Sequence, residues 1–230
     1  MKNQTLKLYG LTIDEINKQL DSLDLNKKVV KTYVKEKYLD AFLFVESKKD
    51  DDDAFNLELS KIVNSFSKYL YADRDVSLYE RLFELLKLRN KTISLMEQAT
   101  GGIITSNLLA FEGSDKILKA SYILTSIKSL IDHFDLNPFK LTVNKGVCGE
   151  IAFDIASHIR SRISSELYVV CVSTLAEGNN LYYNGNATTY VAIGLESGVK
   201  IFKIESNAKK RDMMNQVAKT ICFKLINILK

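Results

Sequence analysis

The first third of the chain alternates between helical and extended patterns of apolar residues. Apolar side chains recur at helical spacing after Thr12 and again over 55–70, whereas 29–34 and 38–45 are rich in β-branched and aromatic residues. Thr12 and Glu15 have the spacing of a capping box, which marks the start of a helix. The pattern therefore predicts helix, strand, strand and helix, closed by a short strand near residue 70.

An acidic run, Asp50 to Asp53, lies between the second predicted strand and the second predicted helix. Four adjacent acids are compatible with a cation site. The simpler interpretation is a solvated loop whose last acids interact favourably with the positive end of the following helix.

The remainder of the chain repeats the alternation on a larger scale. Helical patterns begin at Ser77, 103, 126 and 147, and the last runs from Met214 to Ile228. Extended patterns cover 92–96, 167–172, 188–194 and 199–204. Such alternation predicts a sheet covered by helices on both faces. The single proline, Pro138, is expected in a loop.

A turn of small residues separates the strand pattern at 92–96 from the helix pattern that begins at residue 103. It reads Gln98-Ala99-Thr100-Gly101-Gly102. Paired glycines allow the backbone to approach a ligand closely, and a helix N-terminus offers unpaired amides to an anion. The turn is thus a candidate binding site for a phosphate or carboxylate, although a Gly-Gly pair before a helix also fits many ordinary loops.

Several short motifs, in order along the chain, resemble the C-terminal domain of the CinA (competence/damage-inducible) family. The turn after Glu97 resembles the family's E-S-C-T-G-G, and Gly113-Ser114 resembles the P-G-S-S-like turn that follows. Residues 146–152 resemble the start of a later helix, and 172–176 stand where the family has I-T-G-I-A-G-P. The resemblance implies a nicotinamide-nucleotide deamidase fold, and family members commonly form homodimers.

The upstream segment resembles the KH-like module of full-length CinA proteins. Leu8-Tyr9-Gly10-Leu11 is similar to its opening V-F-G-I, and Thr32 to Lys35 is similar to its T-Y-x-K strand. The expected architecture is therefore a small α+β module of KH-like type, residues 1–74, followed by a three-layer α/β/α domain, residues 75–230. RNA binding is not expected, because a KH domain grips RNA with a G-x-x-G loop and Gly10 is the only glycine in residues 1–74.

The resemblance also implies the positions of the catalytic residues, and this sequence departs from them. The family's serine nucleophile, tyrosine and lysine correspond to Gln98, Thr125 and Leu130. An amide side chain cannot form an acyl-enzyme. Loss of such a nucleophile has cost on the order of a millionfold in kcat in a serine hydrolase. We therefore expect a weak or inactive enzyme that acts by binding a ligand or partner.

Two further hypotheses remain. The first is an active amidohydrolase with relocated groups, Thr100 and Lys128; the second is a purely structural interaction module. If the pocket persists, its ligand is a small phosphorylated compound such as a pyridine nucleotide, contacted by Gln98, Thr100, Gly101, Gly102, Ser173 and Thr174. A carboxylate at Glu177, in the altered 172–178 loop, would disfavour an anionic ligand nearby.

Composition restricts the remaining classes. The net charge is +4 in 230 residues, too mild for a nucleic-acid-binding protein. Three widely spaced cysteines and two histidines suggest neither a disulfide framework nor a metal site, and the cysteines are expected to be buried. No apolar run is long enough to cross a bilayer, and the N-terminus lacks a secretory signal. We expect a cytoplasmic protein that needs no cofactor and no metal.

Overall fold

The structure is a computed structural model that describes residues 2–48, 50–143, 147–174 and 184–230. The chain forms two compact units, Met1–Arg81 and Leu82–Lys230.

The first unit has the order β-α-β-β-α-β. Its elements are β1 (Asn3–Tyr9), α1 (Ile13–Asp21), β2 (Val30–Lys37), β3 (Asp40–Ser47), α2 (Asp52–Phe66) and β4 (Leu70–Ala72). The antiparallel sheet has the strand order β2-β3-β1-β4, the arrangement of a split βαβ fold. The two predicted strands, both helices and the closing strand are present.

The sequence analysis missed β1, which is the second strand from one edge of this sheet. Its burial alternates only at its C-terminal end, where Leu6 and Leu8 are buried on either side of Lys7. Two apolar residues give too short an alternation to be recognised as a strand pattern. Both side chains belong to the core that the sheet forms with α1 and α2.

Polar side chains fix the starts of both helices of this unit. The predicted capping box is confirmed, because Thr12 accepts a hydrogen bond from the Glu15 amide and the Glu15 carboxylate accepts one from the Thr12 amide at 2.8 Å. The acidic run serves as a cap: Asp51 accepts from the Ala54 amide at 3.0 Å, and Asp52 pairs with Lys2 at 2.6 Å.

The second unit contains a mixed five-stranded sheet with the order β6-β5-β7-β8-β9. The strands are β5 (Ile93–Glu97), β6 (Leu118–Tyr122), β7 (Leu167–Ser173), β8 (Asn184–Leu195) and β9 (Gly198–Lys209). Strand β5 is parallel to both of its neighbours, β6 and β7. Strand β8 is antiparallel to both of its neighbours, β7 and β9. The helices are α3 (Leu78–Leu88), which spans the division between the units, α4 (Ile103–Leu109), α5 (Ser114–Ile117), α6 (Ile127–Phe134), α7 (Pro138–Val143), α8 (Gly149–Arg162) and α9 (Lys210–Leu229).

Helices cover both faces of this sheet, as predicted. All seven residues of β7 are buried. Its alternate residues Tyr168, Val170 and Val172 pack in one core with α6 and α8. The intervening residues face the other side, where the Cys171 sulfur lies 3.5 Å from the Thr100 hydroxyl and where α4 packs against α9. The three-layer α/β/α architecture is therefore present.

One local prediction in this unit is wrong: Pro138 is not in a loop but opens α7, a position where its missing amide hydrogen costs no helical hydrogen bond. The predicted last helix is confirmed as α9, with Val217, Ala218, Ile221 and Leu225 buried. At the ends of the predicted stretch, Met214 is only partly buried and Ile228 is 36% exposed. Strand β6 was missed, because its sequence Leu-Lys-Ala-Ser-Tyr lacks an apolar run.

Substitution of Thr12 by alanine should destabilise the first unit by about 1 kcal/mol, because the cap of α1 is lost. Urea unfolding of the full chain, followed by circular dichroism, measures the change. Ser60→Ala is the matched control, since the Ser60 hydroxyl bonds only to the Asn56 carbonyl within α2. Equal stability of the two variants would show that the cap contributes nothing.

Candidate functional site

The turn after β5 depends on two glycines in the left-handed region. Gly101 has φ 60° and Gly102 has φ 89°, and Gly102 is the N-cap of α4. A Cβ atom at Gly101 would lie 2.8 Å from the terminal methyl of Met214, and one at Gly102 would lie 2.5 Å from Ile123 Cδ1. The positive φ values therefore favour glycine at both positions, whereas the close neighbours are ends of flexible side chains that could move.

A buried carboxylate holds this turn in place. Glu97, the last residue of β5, is 1% exposed, and its two oxygens accept four hydrogen bonds. One oxygen accepts from the Thr100 hydroxyl at 2.5 Å and the Ile104 amide at 3.0 Å; the other accepts from the amide and hydroxyl of Thr105 at 2.7 and 2.6 Å. A carboxylate is an acceptor only, so four converging donors suit its ionised form.

The amides at the start of α4 are thus not open to a ligand in the way that the turn sequence suggested. Two of the first amides of the helix, those of Ile104 and Thr105, are bonded to the protein's own Glu97. This role of Glu97 is not among the predictions from the sequence. The available signal was an acid at the end of a largely apolar strand, which must find several partners if it is buried.

Gln98 directly follows Glu97 and is 6% exposed. Its backbone amide donates to the carbonyl of Cys171 at 3.1 Å, and its side-chain Oε1 accepts from the amide of Ser173 at 2.9 Å. The other side-chain atom, Nε2, is buried and has no hydrogen-bond partner among the described residues. Gln98 therefore connects the end of β5 to the end of β7 and carries one unsatisfied donor.

Gln98 lines a cleft of about 120 Å³ at this end of the sheet. We call it the Gln98 cleft; its lining residues are Gln98, Ala99, Gly101, Thr125, Ser173, Thr189, Lys210, Met213, Met214 and Val217. The last four lie on one face of the first half of α9, so that face borders the cleft, with Lys210 near the positive end of the helix. This described lining contains no histidine, carboxylate or thiol.

The structure brings together only some of the residues selected from the sequence. Gln98, Gly101, Ser173 and Thr125 line the cleft. Gly102 caps α4, and the exposed Thr174 accepts from the Thr188 amide at 3.2 Å through its hydroxyl.

The three remaining selected residues lie outside the described lining of the cleft. Leu130 is fully buried in the core with α8, and Lys128 is exposed. Thr100 is fully buried, and its hydroxyl donates to Glu97. Residues 175–178, including Glu177, lie outside the described residues.

No histidine or carboxylate that could take a proton from a hydroxyl belongs to the described lining of the cleft. The Ser173 hydroxyl donates to the Thr188 carbonyl at 3.3 Å. Nucleophilic catalysis by a hydroxyl requires an adjacent base that is itself oriented. Lys210 is the one ionisable side chain in the described lining.

The cysteines are not equivalent. Cys171 and Cys222 are buried, as predicted, whereas Cys148 is partly exposed, so the prediction is wrong for that residue. Burial, with the charge of Glu97 nearby, raises the pKa of Cys171 to about 12 and raises that of Cys222 well above its ordinary value. Cys148 is therefore the accessible thiol of the three.

The second unit is a three-layer α/β/α domain with a glycine turn between β5 and α4, and proteins of similar sequence and fold are known. The CinA C-terminal domain family matches residues 75–229. The chain belongs to the CinA family.

Curated relatives and solved structures agree with this assignment. The chain is 28% identical over 183 residues to a CinA-like protein of Petrotoga mobilis, covering 75% of this chain and 42% of the relative. It is 25% identical over 163 residues to a CinA-like protein of Chloroherpeton thalassium, covering 69% of this chain and 38% of the relative. The chain thus spans less than half the length of these relatives.

The solved structures show the same fold. A competence or damage-inducible protein from Enterobacter asburiae superposes with a TM-score of 0.58 at 15% identity, covering 66% of this chain and 96% of that one. A CinA superfamily protein from Enterobacter cloacae gives a TM-score of 0.58 at 15% identity, covering 70% and 97%.

Among the residues that the structure describes, no helix is long and apolar enough for a bilayer crossing. No group of three or more histidine, cysteine or acidic side chains is arranged there to hold a metal ion.

Substitution Glu97→Gln should destabilise the second unit by about 2–3 kcal/mol, because an amide nitrogen would then face donors that need an acceptor. Chemical denaturation measures the loss. The exposed acid Glu112, changed to glutamine, is the matched control and should shift stability by less than about 0.5 kcal/mol. A Glu97→Gln protein as stable as that control would refute the anchoring role of the carboxylate.

Iodoacetamide at pH 8 should alkylate one cysteine of the native protein, Cys148, because the thiolate is the reactive form and the other two thiols are buried with raised pKa values. Intact-mass spectrometry counts the adducts, and urea should expose all three. The variant Cys148→Ser should remain unlabelled until it is unfolded. Rapid native labelling of that variant would contradict the assigned burial.

Proposed function

We propose that this CinA-family chain binds a small phosphorylated ligand, such as a pyridine nucleotide, at the Gln98 cleft without hydrolysing it. The proposal rests on the chemical nature and the hydrogen bonding of the Gln98 side chain. Where the resemblance places the family's serine, this chain has an amide whose oxygen is bonded to the Ser173 backbone. An amide in that position has no hydroxyl that a base could activate, and its nitrogen lone pair is delocalised into the carbonyl, so it cannot form an acyl-enzyme.

The size and charge of the cleft support the same proposal. A volume of about 120 Å³ fits one ring rather than a whole nucleotide, so the sugar phosphate would lie beyond the cleft. The N-terminal turn of α9 and Lys210 supply positive charge at the cleft, which favours a ligand that carries an anionic group.

The burial of Thr100 opposes the rival hypothesis of a relocated hydrolase. For Thr100 to act as a nucleophile, its hydroxyl would have to leave Glu97 and reach a substrate, yet the residue is fully buried and lies outside the described lining of the cleft. Lys128 is exposed and also lies outside that lining. Nothing in the described geometry pairs these two residues.

Incubation of the full chain with nicotinamide mononucleotide should release no ammonia above the buffer blank, because the cleft offers no activated nucleophile. The same ligand should stabilise the protein: a concentration 100-fold above Kd contributes about 2.7 kcal/mol, which raises Tm by several degrees. A coupled ammonia assay and differential scanning fluorimetry make the two measurements.

The other outcomes separate the alternatives. Sustained ammonia release that is lost in Thr100→Ala would establish the relocated hydrolase. An unchanged Tm with every pyridine nucleotide would favour a structural interaction module, because a ligand that binds only the native state must stabilise it. Ribose 5-phosphate alone is the control for an effect of the phosphate without the ring.

A further inference from the structure

We infer that the Gln98 cleft selects a single-ring carboxylate over the corresponding carboxamide. The ligand carboxylate would accept a hydrogen bond from Gln98 Nε2 and lie at the positive end of α9. This inference rests on the proposed function, since it takes the cleft as the ligand site, and it specifies the chemical group that the cleft recognises.

The orientation of the Gln98 amide is fixed by its partner. The Ser173 amide can only donate, so the atom that faces it at 2.9 Å must be the side-chain oxygen. Rotating the amide by half a turn would place two donors against each other. The nitrogen is therefore the group left over, and it is buried with no partner among the residues that the structure describes.

A buried donor without a partner is unfavourable, and a ligand that supplies an acceptor removes that cost. Gln98 is 6% exposed and lines the cleft, so the acceptor would come from a molecule bound there. Met213 and Met214, which also line the cleft, are unbranched and adaptable, so they can shift to admit a ligand to the nitrogen.

The electrostatics of α9 distinguish an anion from a neutral ligand. The helix has 20 residues, and its N-cap, Lys209, makes no side-chain hydrogen bond to the first turn. Lys210, the first residue of the helix, lines the cleft, whereas Asp212 in the same turn does not belong to the lining. A negative charge at this end gains from both the lysine and the helix dipole.

The size of the cleft restricts the rest of the ligand. An apolar cavity of about 150 Å³ holds one benzene molecule, and the Gln98 cleft has about 120 Å³. Ala99, Val217 and the two methionines give it an apolar wall suited to a ring. A carboxamide oxygen could also accept from Gln98 Nε2, but only the carboxylate gains from the positive charge.

Benzoate and benzamide are the test ligands, because they share a ring and differ in this one group. Titration of the full chain, followed by ligand-observed NMR, should show benzoate binding about tenfold more tightly. Raising the salt concentration should reduce that preference, since the charge interaction is partly screened. Equal affinities, or tighter binding of benzamide, would overturn the inference.

The variant Gln98→Glu tests the assigned donor. It keeps an oxygen for the Ser173 amide but replaces the nitrogen by a second oxygen, so benzoate, which has no donor, should bind at least tenfold more weakly. Benzamide should still bind, because it can turn its amide nitrogen toward the new oxygen and donate to it. Gln216→Glu makes the same charge change on α9 outside the cleft lining and should leave both affinities unchanged. Unchanged benzoate affinity in Gln98→Glu would refute the role of Nε2.

If Gln98→Glu fails to fold, as judged by circular dichroism, Lys210→Met serves instead and should weaken benzoate but not benzamide. A Lys210→Met protein with the wild-type preference for benzoate would overturn the inference.

The results distinguish this inference from the proposed function. Stabilisation by a pyridine nucleotide without any preference for benzoate would support nucleotide binding and refute the selection of a carboxylate. A preference for benzoate without stabilisation by any pyridine nucleotide would refute nucleotide binding and support the selection of a carboxylate.

Discussion

The second unit depends on one buried carboxylate. Glu97 satisfies four donors from the turn and from α4, and in doing so it fixes the path of the chain where β5 ends. An ionised group with 1% exposure is tolerable only when hydrogen bonds replace its hydration. The glycines that follow adopt their left-handed conformations without steric cost, and the Glu97 contacts hold both sides of the turn that they form.

The position of the ligand cleft follows from that anchor. With Glu97 directed into the protein and bonded to α4, the next side chain lies toward β7, where Gln98 meets Ser173. The first half of α9 then forms the opposite wall. The cleft thus lies at the carboxyl ends of adjacent parallel strands, the usual place for ligands in open α/β sheets.

Most of the architecture could be predicted from the sequence, because the long helices and buried strands have strong apolar periodicity. The failures have physical reasons. Strand β1 has only Leu6 and Leu8 to mark it, and β6 has no apolar run. At the site, the turn could be located from its glycines, but the pairing of Glu97 with Thr105 and of Gln98 with Ser173 depends on contacts 8 and 75 residues apart. Such contacts leave no local pattern.

The bond between Gln98 and Ser173 also has a structural role. Glutamine reaches across to the neighbouring strand, whereas a serine in its place is too short to do so and would leave that backbone amide unsatisfied. Gln98 is therefore part of the framework that joins the end of β5 to the end of β7, whatever else it does in the cleft.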